Sequence, residues 1–224
     1  MIEFLRDGDP AAAVHILLAH GAGAPMTSPF MSSITAGLAT EGLHVRRFEF
    51  GYMAARRLTG KRSPPPRADR LTEEFMAAVH VVAAELPRTA CLLIGGKSMG
   101  GRVASLVADE LHAAGYAAGL VCLGYPFHPP GKPDAPRTAH LASLRCPALI
   151  VQGERDPFGS RMEVEAMVAG GALSCAIRLW WARDGDHDLG PRGRSGATRS
   201  DNLEQAAAEV ARFARSMSGE PGAQ

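Results

Sequence analysis

An excess of charge of either sign is what this chain most clearly lacks. Its 24 Lys and Arg residues stand against 23 Asp and Glu, a formal net charge of +1 at pH 7. With no overall field to hold a polyanion or an acidic bilayer, neither nucleic acid nor a membrane is an expected partner. Cysteine is scarce as well. Cys91, Cys122, Cys146 and Cys175 each sit in or beside an apolar run, and no CxxC pair or Cys/His cluster has metal-site spacing. Small reduced thiols at buried strand positions, in a reducing compartment, are the expectation, with no metal. No apolar stretch approaches the roughly 20 residues that span a bilayer, and "MIEFLRDGDP" has neither the basic start nor the apolar segment of a secretion signal. The chain reads as soluble and cytoplasmic.

The 224 residues, 46% of them hydrophobic, suit one globular domain over residues 1–217, with 218–224 as a flexible C-terminal tail and "SMSGEPGAQ" frayed. A domain of this size buries about 70% of its unfolded surface without staples. Short apolar runs, "AVHILLAH", "LHVRRFEF", "ACLLIG", "GLVCLGY", "CPALIVQG" and "SCAIRLWW", read as strands covered on both faces. Between them, residues 28–40, 71–86, 99–114, 161–168 and 200–216 have helical spacing. Alternation of this kind predicts an α/β fold, a mostly parallel central sheet with helices on both faces. "IEFLR" adds an antiparallel edge strand. "GYMAARRLTGKRSPPPRADR" and "YPFHPPGKPDAPR" read as irregular segments at the carboxyl edge of the sheet, where open α/β sheets bind ligands.

"CLLIGGKSMGGR", Cys91 to Arg102, fits two chemistries. Aligned to a phosphate-binding loop, its "GGKS" puts Cys91 where the first glycine belongs and apolar "LLIG" in the loop interior, a poor wrap for a phosphate. Read as G-x-S-x-G, it has Ser98 between a strand and a helix, the setting of a nucleophile elbow. A plain alternative is a glycine-rich turn whose serine only caps a helix. The partners decide between them. A serine hydroxyl needs a histidine to take its proton and an acid to hold the histidine's tautomer. Elbows on such sheets take them in the order serine, acid, histidine.

His128 and His140 precede the last two predicted strands, whereas His187 follows the final one, in "ARDGDHDLG". His187 is the expected base. Asp156, in the turn after "ALIVQG", is the expected acid, with Glu154 as substitute; Asp184, Asp186 and Asp188 serve their own loop's turns or solvate it. The aspartates around His187 lack the glycine and glutamate of a calcium loop. The oxyanion donors expected are the N–H of Met99, after the nucleophile, and one N–H from "LLAHGAGAPMTSP", that of Ala22 with Gly23 as rival. His20 reads as a brace beneath that turn. Tyr125, Phe127 and His128 are the candidate substrate-pocket residues by position. The basic stretch from Arg56 to Arg70 reads as a solvated loop, or as an attractor of anionic substrates. Trp180 and Trp181 should face opposite sides of the last strand.

"LLAHGAGAPMTSPFM", "GGKSMGGR", "GYPFHPPGKP", "VQGERDPFG" and "GDHDL" make the chain resemble the α/β-hydrolase superfamily, over nearly its whole length. More narrowly it is similar to the small lidless branch near dienelactone hydrolases that includes the Tex/KANL-like hydrolase domains. It differs from dienelactone hydrolases proper in a serine, not a cysteine, at the elbow, and it has no long insertion after "GLVCLGY" where larger lipases carry a lid. The resemblance implies a Ser98, Asp156, His187 triad with Ala22 and Met99 as oxyanion donors, no cofactor, and a small-molecule ester or thioester as substrate. The rival expectation is a non-catalytic binding or scaffold protein that keeps the fold.

Overall fold

A computed structural model describes residues 2–61 and 63–218. The chain runs β1 (Phe4–Asp7), β2 (Val14–Ala19), α1 (Pro29–Thr40), β3 (His44–Phe48), α2 (Gly51–Thr59), α3 (Thr72–Glu85), β4 (Cys91–Lys97), α4 (Met99–Ala113), β5 (Gly119–Leu123), β6 (Ala148–Gly153), α5 (Arg161–Ala169), β7 (Ile177–Ala182) and α6 (Arg199–Ser218). The strands form one seven-stranded sheet in the order β1-β3-β2-β4-β5-β6-β7. Only β1 is antiparallel, pairing Phe4 with Phe48 at the edge.

Every residue of β2, β4, β5 and β6 is buried, which explains why their sequences are apolar without alternation. The pleat still sorts their side chains. Leu17, Ile94, Cys122 and Ile150 join the layer formed with α3 and α4; Leu18, Leu93, Val121 and Val151 join the layer formed with α1 and α6. Trp181 packs on the first layer and Trp180 on the second, as strand alternation requires.

Sheet order fixes where a ligand can sit. From β2 the chain goes outward to β3 on one side and to β4 on the other, so the order reverses between β2 and β4, which pair Ala19 with Gly96 at their carboxyl ends. Loops leaving two neighbouring strands in opposite directions open a crevice there.

Three sequence expectations change. Residues 51–59, read as irregular, form α2, which the left-handed Gly60 (φ +71°) ends. Cys175, read as buried, is exposed in the turn before β7. The tail boundary moves, since α6 continues to Ser218, whose Oγ donates to Arg215 O; residues 219–224 lie outside the described residues. No helix among the described residues is long and apolar enough to cross a membrane.

Candidate active site

β4 ends at Lys97 and α4 begins at Met99, leaving Ser98 alone to make the turn at φ +50°, ψ −113°. A non-glycine residue there is strained, and the neighbours impose it: Ser98 N donates to Leu123 O at 2.9 Å, and Ser98 O already accepts from Arg102 N in α4. The close pass of α4 over β2 demands Gly100. A Cβ at that position would lie 2.6 Å from both Ala19 O and His20 O, backbone atoms that cannot swing away.

His187 Nε2 lies 2.9 Å from Ser98 Oγ and His187 Nδ1 lies 2.7 Å from Asp156 Oδ2. Asp156 is fully buried, and its Oδ1 accepts from Phe158 N at 2.8 Å. An ionised carboxylate can only accept, so Nδ1 carries the ring proton and Nε2 is left as acceptor for the serine hydroxyl. Glu154 is elsewhere, accepting from Asp184 N and pairing with Arg161. His140 sits at Ser105 Oγ, and His128 at Pro129 O.

Gln152, invisible as a site residue in sequence, is the hub under the acid. Fully buried, it donates from Nε2 to Asp156 Oδ2 (3.0 Å), Tyr125 O (3.2 Å) and Gly159 O (3.1 Å), while its Oε1 accepts from Tyr125 N (2.7 Å). Buried polarity at the end of an otherwise apolar strand is the only sequence signal it carries.

Lys97, the first variable residue of the elbow, is the second residue that sequence reasoning left without a role. Its ammonium is buried, donates to His187 O at 2.6 Å, pairs with Asp188 at 3.2 Å and lies over the Phe30 ring. Burial holds its pKa below the ordinary lysine value, against the opposing pull of Asp188 and Asp156. Gly124 (φ +65°) makes the room: a Cβ there would lie 2.9 Å from Lys97 Nζ and 3.0 Å from His187 O. Asn202 of α6 holds the same loop by donating to Leu189 O and Arg183 O. The neighbouring aspartates divide the remaining work. Asp186 caps the loop's own N–H groups at Asp188 and Gly190, Asp184 pairs with Arg192 and Arg155, and Asp188 belongs to Lys97 rather than to solvent alone.

Across the crevice, the loop after β2 is held by its carbonyls. Phe50 N donates to His20 Nε2, so the other nitrogen, His20 Nδ1, donates to Gly21 O at 2.7 Å. Burial lowers the His20 pKa and keeps the ring neutral for this double duty. Tyr52 Oη donates to Ala22 O and Arg56 to Gly23 O. In a trans peptide the N–H points opposite the preceding C=O, so His20 aims Ala22 N–H and Tyr52 aims Gly23 N–H. Neither amide, nor that of Met99 at the first turn of α4, donates to a protein acceptor among the described residues.

Ser98 stands between two hollows of about 420 and 360 Å³, both bounded also by Ala22 and Phe158. Tyr125, Phe127 and His128 line neither, which corrects their expected place in a substrate pocket. Their side chains are buried, Tyr125 and Phe127 in an edge-to-face pair with Tyr125 Oη donating to Arg137 O. The chain after β5 folds back on itself, turning these rings into the core. Phe30 and Phe158, from α1 and the turn after Asp156, are the aromatic walls instead. Of the basic stretch, Arg57 is tied to Glu3 and Glu49, and Arg67 borders the smaller hollow; Arg62 lies outside the described residues.

A mostly parallel sheet with an elbow at its reversal point and, among the described residues, no covering domain defines the lidless α/β-hydrolase class. Residues 12–215 match the family described as alpha/beta hydrolase domain, and the chain belongs to that family. Solved structures share the fold at low identity. They include a lidless α/β serine hydrolase from Xanthomonas campestris (19% identity, 96% of this chain and 88% of that one, TM-score 0.64) and a dienelactone hydrolase from Anabaena variabilis (20%, 95% and 90%, TM-score 0.67). An esterase domain from Rhodothermus marinus is similar over 98% of this chain and 100% of its own, at 18% identity and TM-score 0.64.

Proposed function

We propose that this protein is a serine hydrolase that cleaves a small carboxyl ester or thioester through an acyl-enzyme. The observation carrying the reading is the unbroken relay from Ser98 Oγ to His187 Nε2 (2.9 Å) and from His187 Nδ1 to Asp156 Oδ2 (2.7 Å), contacts between residues 89 and 31 positions apart in the chain. Ser98 Oγ attacks the carbonyl carbon while His187 Nε2 takes its proton. The carbonyl oxygen becomes an oxyanion held by the Met99 N–H and that of Ala22, with Gly23 as the other available donor. His187 hands the proton to the departing oxygen or sulfur, the bond to it breaks, and the acyl group stays on Ser98. Water then attacks, giving a proton to His187; collapse returns that proton to Ser98 Oγ and frees the acid. Asp156 remains ionised throughout and stabilises the imidazolium. These steps use only protein groups and water.

A fluorophosphonate probe tests the reading. Wild type is expected to label and Ser98→Ala not to, with the two proteins melting alike. Turnover of a chromogenic ester is expected to fall on the order of 10⁴-fold or more in Ser98→Ala. Equal labelling of the two proteins overturns the assignment and leaves a binding protein with a hydrolase fold.

A further inference from the structure

We infer that the smaller hollow beside Ser98 is a subsite for an anionic group of the substrate, a carboxylate or phosphate a few atoms from the scissile carbonyl. The inference rests on the hydrolytic reading above.

The two hollows differ in chemistry. The larger is walled by Ala24, Pro29, Phe30 and Phe158; of its two cations, Lys97 is buried and already spent on His187 O and Asp188, and Arg199 is an exposed, solvated side chain at its border. The smaller is bordered by Arg67, Arg102 and Arg137 against a single carboxylate, Asp69, and Asp69 lies 3.1 Å from Arg67. That leaves Arg102 and Arg137 with no ion pair among the described residues. Other arginines with a buried, unpartnered Nε still find a carboxylate, Arg46 meeting Glu85 and Arg47 meeting Asp7, and the exposed Arg161 meets both Glu154 and Glu165.

Solvation is the plain explanation for an unpaired surface arginine, and Arg102 does not fit it. Its Nε is buried and has no hydrogen-bond partner, the condition that costs a polar group most. Arg137 is half-buried, and burial together with the charge of Arg102 holds its pKa below the ordinary arginine value. Two guanidiniums that border one hollow and lack a carboxylate are a site for an anion, and their planar forks suit a carboxylate or phosphate.

The position fits a substrate already bound at Ser98. Arg102 follows Ser98 by one turn of α4, about 6 Å of rise, and its N–H donates to Ser98 O. Arg137 is fixed by Arg137 N donating to Phe127 O at 2.7 Å and by Tyr125 Oη donating to Arg137 O. The anchors belong to the scaffold rather than to a loose segment.

Matched esters test the inference on the full chain by following phenol release. One pair carries the acid on the leaving group (4-carboxyphenyl acetate against its methyl ester), another on the acyl side (phenyl hydrogen succinate against phenyl methyl succinate), and 4-phosphonooxyphenyl acetate stands for phosphate. Wild type is expected to favour the anionic member of one comparison at least tenfold in kcat/KM, with the preference shrinking in high salt. Arg102→Gln and Arg137→Gln are each expected to bring that ratio towards unity; the ratio is the readout, and Arg137→Gln, at a half-exposed position, guards against a folding defect at Arg102. Fluorophosphonate labelling of Ser98 with no charge preference in any comparison overturns the subsite and leaves the hydrolase reading standing. A preference that survives both substitutions overturns the assignment to these arginines. Failure of both labelling and turnover removes the hydrolase reading and the subsite together.

Discussion

Lys97 occupies one of the two variable positions of the G-x-S-x-G turn, yet its ammonium is buried and donates to the backbone of His187. Lys97→Met keeps much of the stem and removes the donor, leaving His187 O unsatisfied and Asp188 unpaired. If the lysine positions the histidine, kcat for a chromogenic ester falls about 10- to 100-fold while KM changes little, since misplacement by about 1 Å costs on that order. A purely structural role would instead lower the melting temperature and leave kcat of the folded fraction alone. Gln152→Ala removes one donor group and one acceptor that serve four partners in a fully buried place. It is expected to cost about 1–3 kcal/mol or more in urea unfolding and to slow labelling of Ser98 by loosening Asp156. The proposed triad residues, Ser98, Asp156 and His187, could be singled out in the sequence because their chemistry is rare and their order along the chain is informative. Lys97 and Gln152 were not, because a lysine and a glutamine beside glycines carry no sign of which backbone groups they will meet.

At the level of elements, the turn between β4 and α4 depends on contact between backbones. Gly100→Ala puts a methyl 2.6 Å from the carbonyl oxygens of Ala19 and His20, so α4 or β2 must shift. The expected result is about 1–3 kcal/mol of destabilisation in chemical denaturation, together with weakened labelling of Ser98, because the proposed oxyanion donors, Met99 N–H and those of the loop after β2, move apart. The same logic explains which elements could be read. Strands buried on both faces and long helices declare themselves by apolar runs and periodicity, and α5 adds a capping box from Ser160 and Glu163. α2 did not, since it buries only Met53 deeply and runs into Gly60 and a proline-rich stretch. Tyr125, Phe127 and His128 were misplaced for a related reason. Leaving a strand at its carboxyl end says where a loop starts, and the hydrogen bonds of Arg137 N to Phe127 O and His128 N to Phe158 O turn the loop inward.

Taken as a whole, the molecule stores basic groups in uncharged form. His15, His20, His44 and His140 all have pKa values lowered from 6.5, burial being the largest cause for each; His15 and His44 also face one another at 3.0 Å between Nδ1 atoms. A base whose folded pKa is depressed binds more protons unfolded than folded between that value and about 6.5. Stability is therefore full above the unfolded value and declines as pH falls through this window. Thermal melts are expected to drop between pH 7 and 5, before most carboxylates titrate, by about 2–4 °C for each kcal/mol lost. A flat profile down to pH 5 would contradict this. Tyr52 works at the other end: burial raises its phenol to about 12 from 10.0, so the stability it adds is present below pH 10 and fades as pH rises through 12, and Tyr52→Phe should remove that alkaline component. The serine on its ridge between two hollows has one more outcome, given the proposed chemistry. Once the first half of a cleaved molecule departs, its seat is the doorway through which water arrives, while the other half stays moored on the opposite side. Exit and entry thus share a threshold, and a leaving group that lingers there slows the second half of the cycle as surely as the first.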